Sequence, residues 1–179
     1  SKYFDKKKIK YIKIREPGGN TNSEKIRKII LNNKSNFNKN TDLLLYLAAR
    51  SENIENIINK NKNRIILIDR FVDSTLAYQH YGMKINKKII NQLNDFLLNK
   101  IRVTFTFLNL VSEKNMKLRL AKRKSLNRYD SFRIDFYKRV QLGFIKIANL
   151  NKKKYLKINS NLPININKKI IINKINKII

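Results

Sequence analysis

The 179 residues contain no cysteine, no tryptophan, a single histidine (His80), four glycines and two prolines. Without cysteine there are no disulfides and no thiolate metal sites, and one histidine argues against a zinc site built on imidazoles. Acidic residues are scarce too: 12 Asp and Glu face 41 Lys and Arg, a formal net charge of +29. No apolar run approaches the roughly 20 residues that span a bilayer. No secretory signal is visible either, so a cytoplasmic location without membrane association is expected. Such a basic chain invites a nucleic-acid reading, because clustered cations neutralise phosphates. Here the lysines are scattered through core-like and loop-like positions among abundant Asn and Ile, and no nucleic-acid module signature occurs. The charge is therefore read as compositional drift. Nucleic acid is not the expected partner, although the charge speeds encounter with anionic substrates.

What the sequence does contain is alternation of strand and helix patterns. Residues 8–14 (KIKYIKI) alternate apolar and basic side chains and predict a strand, ending on the turn Arg15-Glu16-Pro17-Gly18-Gly19. Ser23 is the expected N-cap of a helix to about Leu31, and Thr41 that of a longer one beginning DLLLYLAAR. The second is apolar on much of its circumference at its start, which suits burial or a subunit interface. Residues 65–68 (IILI) are apolar on both faces and β-branched, the pattern of a strand in a covered parallel sheet. A helix over 74–81, an amphipathic helix over 86–100 and a strand over 103–108 follow. Next come a basic helix over 112–124, a helix over 131–149, a short strand over 155–158 and a last helix from Pro163. The alternation predicts a single three-layer α/β/α domain with a mainly parallel central sheet. The chain opens on Ser1 rather than Met, in a segment patterned like the tail of a helix, as expected of an N-terminally incomplete domain.

The chemistry gathers on residues 64–82, RIILIDRFVDSTLAYQHYG. In open α/β sheets ligands bind where strands end, and this strand ends on Asp69-Arg70. The guanidinium fork of Arg70 suits bidentate grip on a phosphate, and Asp69 could orient it or hold a metal-bound water; the bland alternative is a local ion pair. Ser74 and Tyr78, then Thr75 and Gln79, are spaced four apart, so one helix face offers hydroxyls and an amide to the polar edge of a base. Tyr46 and Arg50 are another such pair, able to sandwich a base or to form an ordinary surface cation–π contact. Arg27 is a second phosphate candidate or simply an exposed helix residue. Arg119, Arg123 and Arg128 surround a loop that could close over a transferring phosphoryl group, against the alternative of one more solvated basic face.

Several stretches, in order and in register, resemble bacterial thymidylate kinase across nearly the whole chain: REPGG (15–19), EKIRKIIL (24–31), LLLYLAAR (43–50), IDRFVDSTLAYQ (68–79) and the weaker NRYD (127–130). The resemblance implies a nucleoside monophosphate kinase fold of the P-loop NTPase type and transfer of the γ-phosphoryl of ATP to dTMP with Mg²⁺. It implies Arg70 on the dTMP phosphate with Arg27 assisting, and Tyr46 stacked on thymine with Arg50 on its carbonyl edge. Ser74, Thr75 and Gln79 would lie along the nucleoside, with Tyr78 against the deoxyribose so as to disfavour a 2′-OH. Glu16 would lie near the reacting phosphates and Asp69 indirectly at the metal. Arg119 and Arg123 would be catalytic arginines of a lid at about 119–130, and the protein would be a homodimer.

There are departures from the family pattern. The phosphate-cradling GxxxxGK[ST] loop is absent: none of Gly18, Gly19, Gly82 and Gly143 fits it. Phe71 replaces the usual Tyr after Asp-Arg, and Asn127 and Asp130 replace Asp and Glu around Arg128. Without that loop, the 179 residues are expected to bind dTMP with negligible phosphoryl transfer. Two rivals stand against this expectation, a deoxynucleoside kinase of related fold and a non-catalytic, decayed or nucleic-acid-binding relative.

Overall fold

A computed structural model describes residues 1–122 and 126–179. In chain order the elements are α1 (Lys2–Lys6), β1 (Tyr11–Arg15), α2 (Thr21–Leu31), α3 (Lys39–Asn53), β2 (Ile65–Asp69), α4 (Val72–Thr75) and α5 (Lys87–Leu98). These are followed by β3 (Thr106–Leu110), α6 (Glu113–Ala121), α7 (Ile134–Leu150), β4 (Tyr155–Asn159) and α8 (Ile164–Ile175). The α/β alternation with parallel strands is as the sequence predicts. The chain divides into two compact units, Ser1–Arg102 with Leu126–Gly143, and Val103–Ser125 with Phe144–Ile179.

In the first unit β1 and β2 run parallel in unbroken register, Tyr11 opposite Ile65 through Arg15 opposite Asp69. Ile65 to Ile68 are half-buried, because β1 is the one strand hydrogen-bonded to β2 among the described residues. Ile14, Ile54 and Ile58 form a core beneath this pair, joined by Ile12, Ile66, Ile68 and Phe71. A second core packs Leu43 and Leu47 of α3 against Ile85 and Ile90, with Leu76 and Leu93 alongside. At about 25 cal/mol per Å² of apolar surface removed from water, such clusters supply the main favourable term of folding. They also fix α3 and α5 relative to the strand ends.

Several boundaries differ from expectation. The caps of α2 and α3 are Asn20 and Asn38, whose side chains accept from Ser23 N–H and from Asn40 and Thr41 N–H. Asn shares the cap preference of Ser and Thr, and each asparagine lies three residues upstream of the residue expected to cap. The predicted helix over 74–81 is α4 followed by a π-helical stretch, Leu76–Gly82. Strand β3 begins at Thr106 rather than 103, since its register with β4 pairs Thr106 with Tyr155.

In the second unit β3 and β4 are again parallel. Ser112 caps α6 through a bond from Asn115 N–H, and Pro163 stands immediately before α8. No helix among the described residues is long and apolar enough to cross a membrane.

Candidate functional site

The polar groups of the first unit collect past the carboxyl ends of β1 and β2. The chain leaves β1 through Glu16, whose N–H donates to Asp69 O at 3.0 Å, followed by a cis Glu16–Pro17 peptide. Of the two glycines that follow, Gly19 is required by its backbone and by the buried Asn53, whereas Gly18 faces the mobile end of the exposed Glu24. A Cβ at Gly19, where φ is +145°, would lie 2.2 Å from Asn53 Oδ1, and one at Gly18 would lie 2.0 Å from Glu24 Oε1. Asn53 is fully buried and staples this turn to α3: its Nδ2 donates to Gly18 O at 2.8 Å, and its Oδ1 accepts from Asn20 N–H and the Ser23 hydroxyl.

One turn earlier on α3 lies Arg50, 1% exposed. Its Nε and Nη2 both donate to Glu16 Oε2, at 3.0 and 2.7 Å, and its Nη1 donates to Asn94 Oδ1 at 2.7 Å. The guanidinium carbon lies 5.1 Å from the centre of the Phe71 ring. Burial lifts the Glu16 carboxyl above the ordinary glutamate value, and Arg50 opposes that rise without cancelling it. The second carboxylate oxygen, Oε1, is buried without a hydrogen-bond partner among the described residues.

Arg70 follows β2 with φ +66°, a left-handed conformation that costs a non-glycine residue roughly 1–2 kcal/mol. It is exposed, and its guanidinium lies over the Tyr78 ring at 5.3 Å. Arg70 thus presents a cation at a strand end, with an aromatic wall behind it. Thr75 and Gln79 are 2% and 1% exposed, and Thr75 Oγ1 and Gln79 Nε2 are buried with no partner among the described residues. Leaving such groups unsatisfied costs about 1–3 kcal/mol each, which a ligand with matching groups would relieve. Ser74 and Tyr78, on the same segment, are half-buried.

Tyr46 and Arg50 diverge, since α3 turns the arginine inward to Glu16 while Tyr46 packs edge-on against Tyr129 with ring centres 6.0 Å apart. Tyr129 also meets Tyr78 at 6.1 Å, and its hydroxyl donates to the buried Asp42 at 2.8 Å. Burial pushes the Tyr46 phenol up to about 12 and raises that of Tyr129 as well. Arg128, expected near a phosphoryl group, forms a partly buried ion pair with Asp42 and donates to Ile30 O. The half-buried Arg27 reaches the REPGG turn, its Cδ 3.1 Å from where a Gly18 Cβ would stand.

Asp69 pairs with Arg15 at 3.4 Å, both side chains largely exposed. Among the described residues no three His, Cys, Asp or Glu side chains cluster as metal ligands. Mg²⁺ commonly takes only one or two protein carboxylates, filling its shell with water and phosphate oxygens, so a lone exposed Asp69 fits such an ion.

In the second unit a cavity of about 300 Å³ opens where β3 and β4 end, lined by Leu110, Val111, Ser112, Lys157, Ile158, Asn159 and Asn161. Asn161 Oδ1 accepts from Ser112 N–H, the Ser112 hydroxyl and Asn115 Nδ2. Arg119, at the end of α6, donates to Ser160 O at 2.6 Å. Arg123 lies outside the described residues.

Sequence reasoning did not single out Asn94, Asn53, Asp42 or Tyr129. Asn94 interrupts the apolar spacing of its helix, a signal that could have flagged it; the others carry none beyond their type.

The thymidylate kinase family model matches residues 1–171 of the chain. A thymidylate kinase of Kosmotoga olearia is 32% identical over 149 residues, covering 82% of this chain and 71% of that protein. One from Thermosipho africanus is 37% identical over 150 residues, covering 83% and 74%. A crystal structure of thymidylate kinase from Ehrlichia chaffeensis superposes with a TM-score of 0.73 at 29% identity, covering 93% of this chain and 80% of that one.

Proposed function

The chain belongs to the thymidylate kinase family, whose reaction is the phosphorylation of dTMP, and from that premise we propose that residues 1–179 form the dTMP-binding side of the enzyme. Arg70 holds the phosphate with Arg27 beside the turn, and Thr75 and Gln79 read the base. Ser74 and Tyr78 line the sugar, and Arg50 faces a base carbonyl. The observation that carries this reading is the pair of buried, partnerless atoms Thr75 Oγ1 and Gln79 Nε2 on the segment that Arg70 opens. A pyrimidine with carbonyl oxygens and an N3–H offers the acceptors and the donor those atoms lack. Tyr46 supplies a ring edge to the same aromatic group.

ATP is the phosphoryl donor in this proposal, and Mg²⁺ is held indirectly through Asp69; the ion would neutralise charge on the transferring phosphates. Glu16 stays on the acceptor side as the anchor of Arg50. Arg119 and Arg123 are the arginines offered to the transferring group, in a homodimeric cytoplasmic enzyme of one domain. Because no GxxxxGK[ST] loop occurs among these residues, dTMP binds to them without appreciable phosphoryl transfer.

Calorimetry tests the reading. dTMP should bind more tightly than thymidine, and Arg70→Ala should weaken dTMP on the order of 100-fold while leaving thymidine unchanged. Tighter binding of thymidine would instead make the protein a nucleoside kinase relative. Binding of DNA that free dTMP does not compete would favour the basic, non-catalytic alternative.

A further inference from the structure

Helix α5 has its polarity inverted at two positions. Phe96 is 80% exposed, whereas Asn94 is 7% exposed on the face that carries Ile90 into the core. A buried carboxamide among Ile90, Leu93 and Leu97 is costly unless it is hydrogen-bonded. Its partner is the Nη1 of Arg50, at 2.7 Å. The amide orientation follows from chemistry, since a guanidinium only donates and the atom facing it must be the carbonyl oxygen.

Glu16 alone would leave Arg50 free to tilt about that contact, because both of its bonds run to one oxygen, Oε2. Asn94 supplies a second anchor from a different helix, and Phe71 lies under the guanidinium. Of the five N–H donors of an arginine, three are taken by these partners. The remaining two have no acceptor among the described residues, and their direction is set once the other three are fixed.

We propose that Asn94 is a positioning residue for base recognition: by pinning Nη1 it aims the two free N–H groups of Arg50 at a carbonyl oxygen of the bound base. It thereby selects a pyrimidine with a 4-carbonyl over one with a 4-amino group. A cytosine amino group is itself a donor and would face two donors held in place, a mismatch that a mobile arginine could turn away from. This inference rests on the dTMP reading given above.

The test compares calorimetric affinities of the chain for dTMP, dCMP and deoxyribose 5-phosphate in the wild type and three variants. Asn94→Ala and Asn94→Leu remove the acceptor, the latter with a side chain suited to an apolar helix face. Asn94→Asp keeps an acceptor at the same reach. The dTMP-to-dCMP preference should fall about tenfold in the Ala and Leu variants, the size expected for loss of one hydrogen bond to a charged group. Deoxyribose 5-phosphate, which lacks the base, should bind as in the wild type, and Asn94→Asp should restore most of the preference. An unchanged preference, or a parallel loss for all three ligands, overturns the role of Asn94 while leaving the dTMP site standing. A wild type with no preference for dTMP over dCMP overturns the functional reading itself. If Asn94→Ala does not fold, the Leu variant supplies the same comparison.

Discussion

In backbone terms the two strand pairs are alike: β1–β2 and β3–β4 each join five residues to five, parallel, in continuous register. What stands beyond their carboxyl ends differs. Past β1–β2 a buried ion pair, Glu16–Arg50, is locked by Asn94, and partnerless polar atoms of Thr75 and Gln79 lie in the interior. Past β3–β4 the polar groups are the exposed Ser112, Asn159 and Asn161, lining an open cavity, and the half-buried Asn115, bonded to one another. Parallel pairing therefore supplies a place for a ligand, and the burial of charge decides how strongly that place is committed to one. A buried guanidinium keeps its orientation because the interior screens it little, whereas exposed amides exchange partners with water at small cost.

The contrast is sharpest for Arg50→Met. Removing one partner strands a buried carboxylate, so the urea midpoint should fall by the equivalent of about 3–5 kcal/mol. A loss below about 1 kcal/mol would place Glu16 and Arg50 with ordinary surface pairs. Next in size, dTMP at a hundred times its dissociation constant should stabilise the protein by about 2.7 kcal/mol. In hydrogen exchange that protection should centre on residues 70–85; equal protection around Ser112 and Asn161 would erase the distinction between the two ends. In the second unit, Ser112→Ala removes a helix cap and should cost only about 1 kcal/mol by thermal denaturation. The smallest effect is a slope. Glu16 has a folded value raised above its unfolded one, so the native state binds more protons between the two. The wild type should then lose stability as pH rises through that window. Glu16→Gln should flatten that stretch of the stability–pH curve, and an unaltered slope would show that Arg50 fully offsets the effect of burial.

Much of this was legible from residue order. The strand–helix alternation, the REPGG turn and Asp69-Arg70 at a strand end all lie in short windows where local pattern carries the information. Cap identities were harder, because Asn, Ser and Thr compete for the same backbone N–H groups: Asn20 and Asn38 cap where Ser23 and Thr41 were expected. The Tyr46–Arg50 spacing gave the helix geometry but not the anchor of the arginine, which lies 34 residues away, in Glu16.

By itself the sequence determined the family, the parallel α/β order and the Asp69-Arg70 pair at a strand end, because those depend on motifs and on periodicity along the chain. Only the tertiary structure decided which charges are buried and with whom: Glu16 with Arg50, Arg50 with Asn94, Asp42 with Arg128 and Tyr129. The reason is physical. Periodicity states which face of an element turns inward, whereas the partner of a buried charge comes from a different element, brought close only when the hydrophobic faces of several helices pack together. Asn94 shows this most plainly, a polar residue on an apolar face until α3 delivers Arg50 to it.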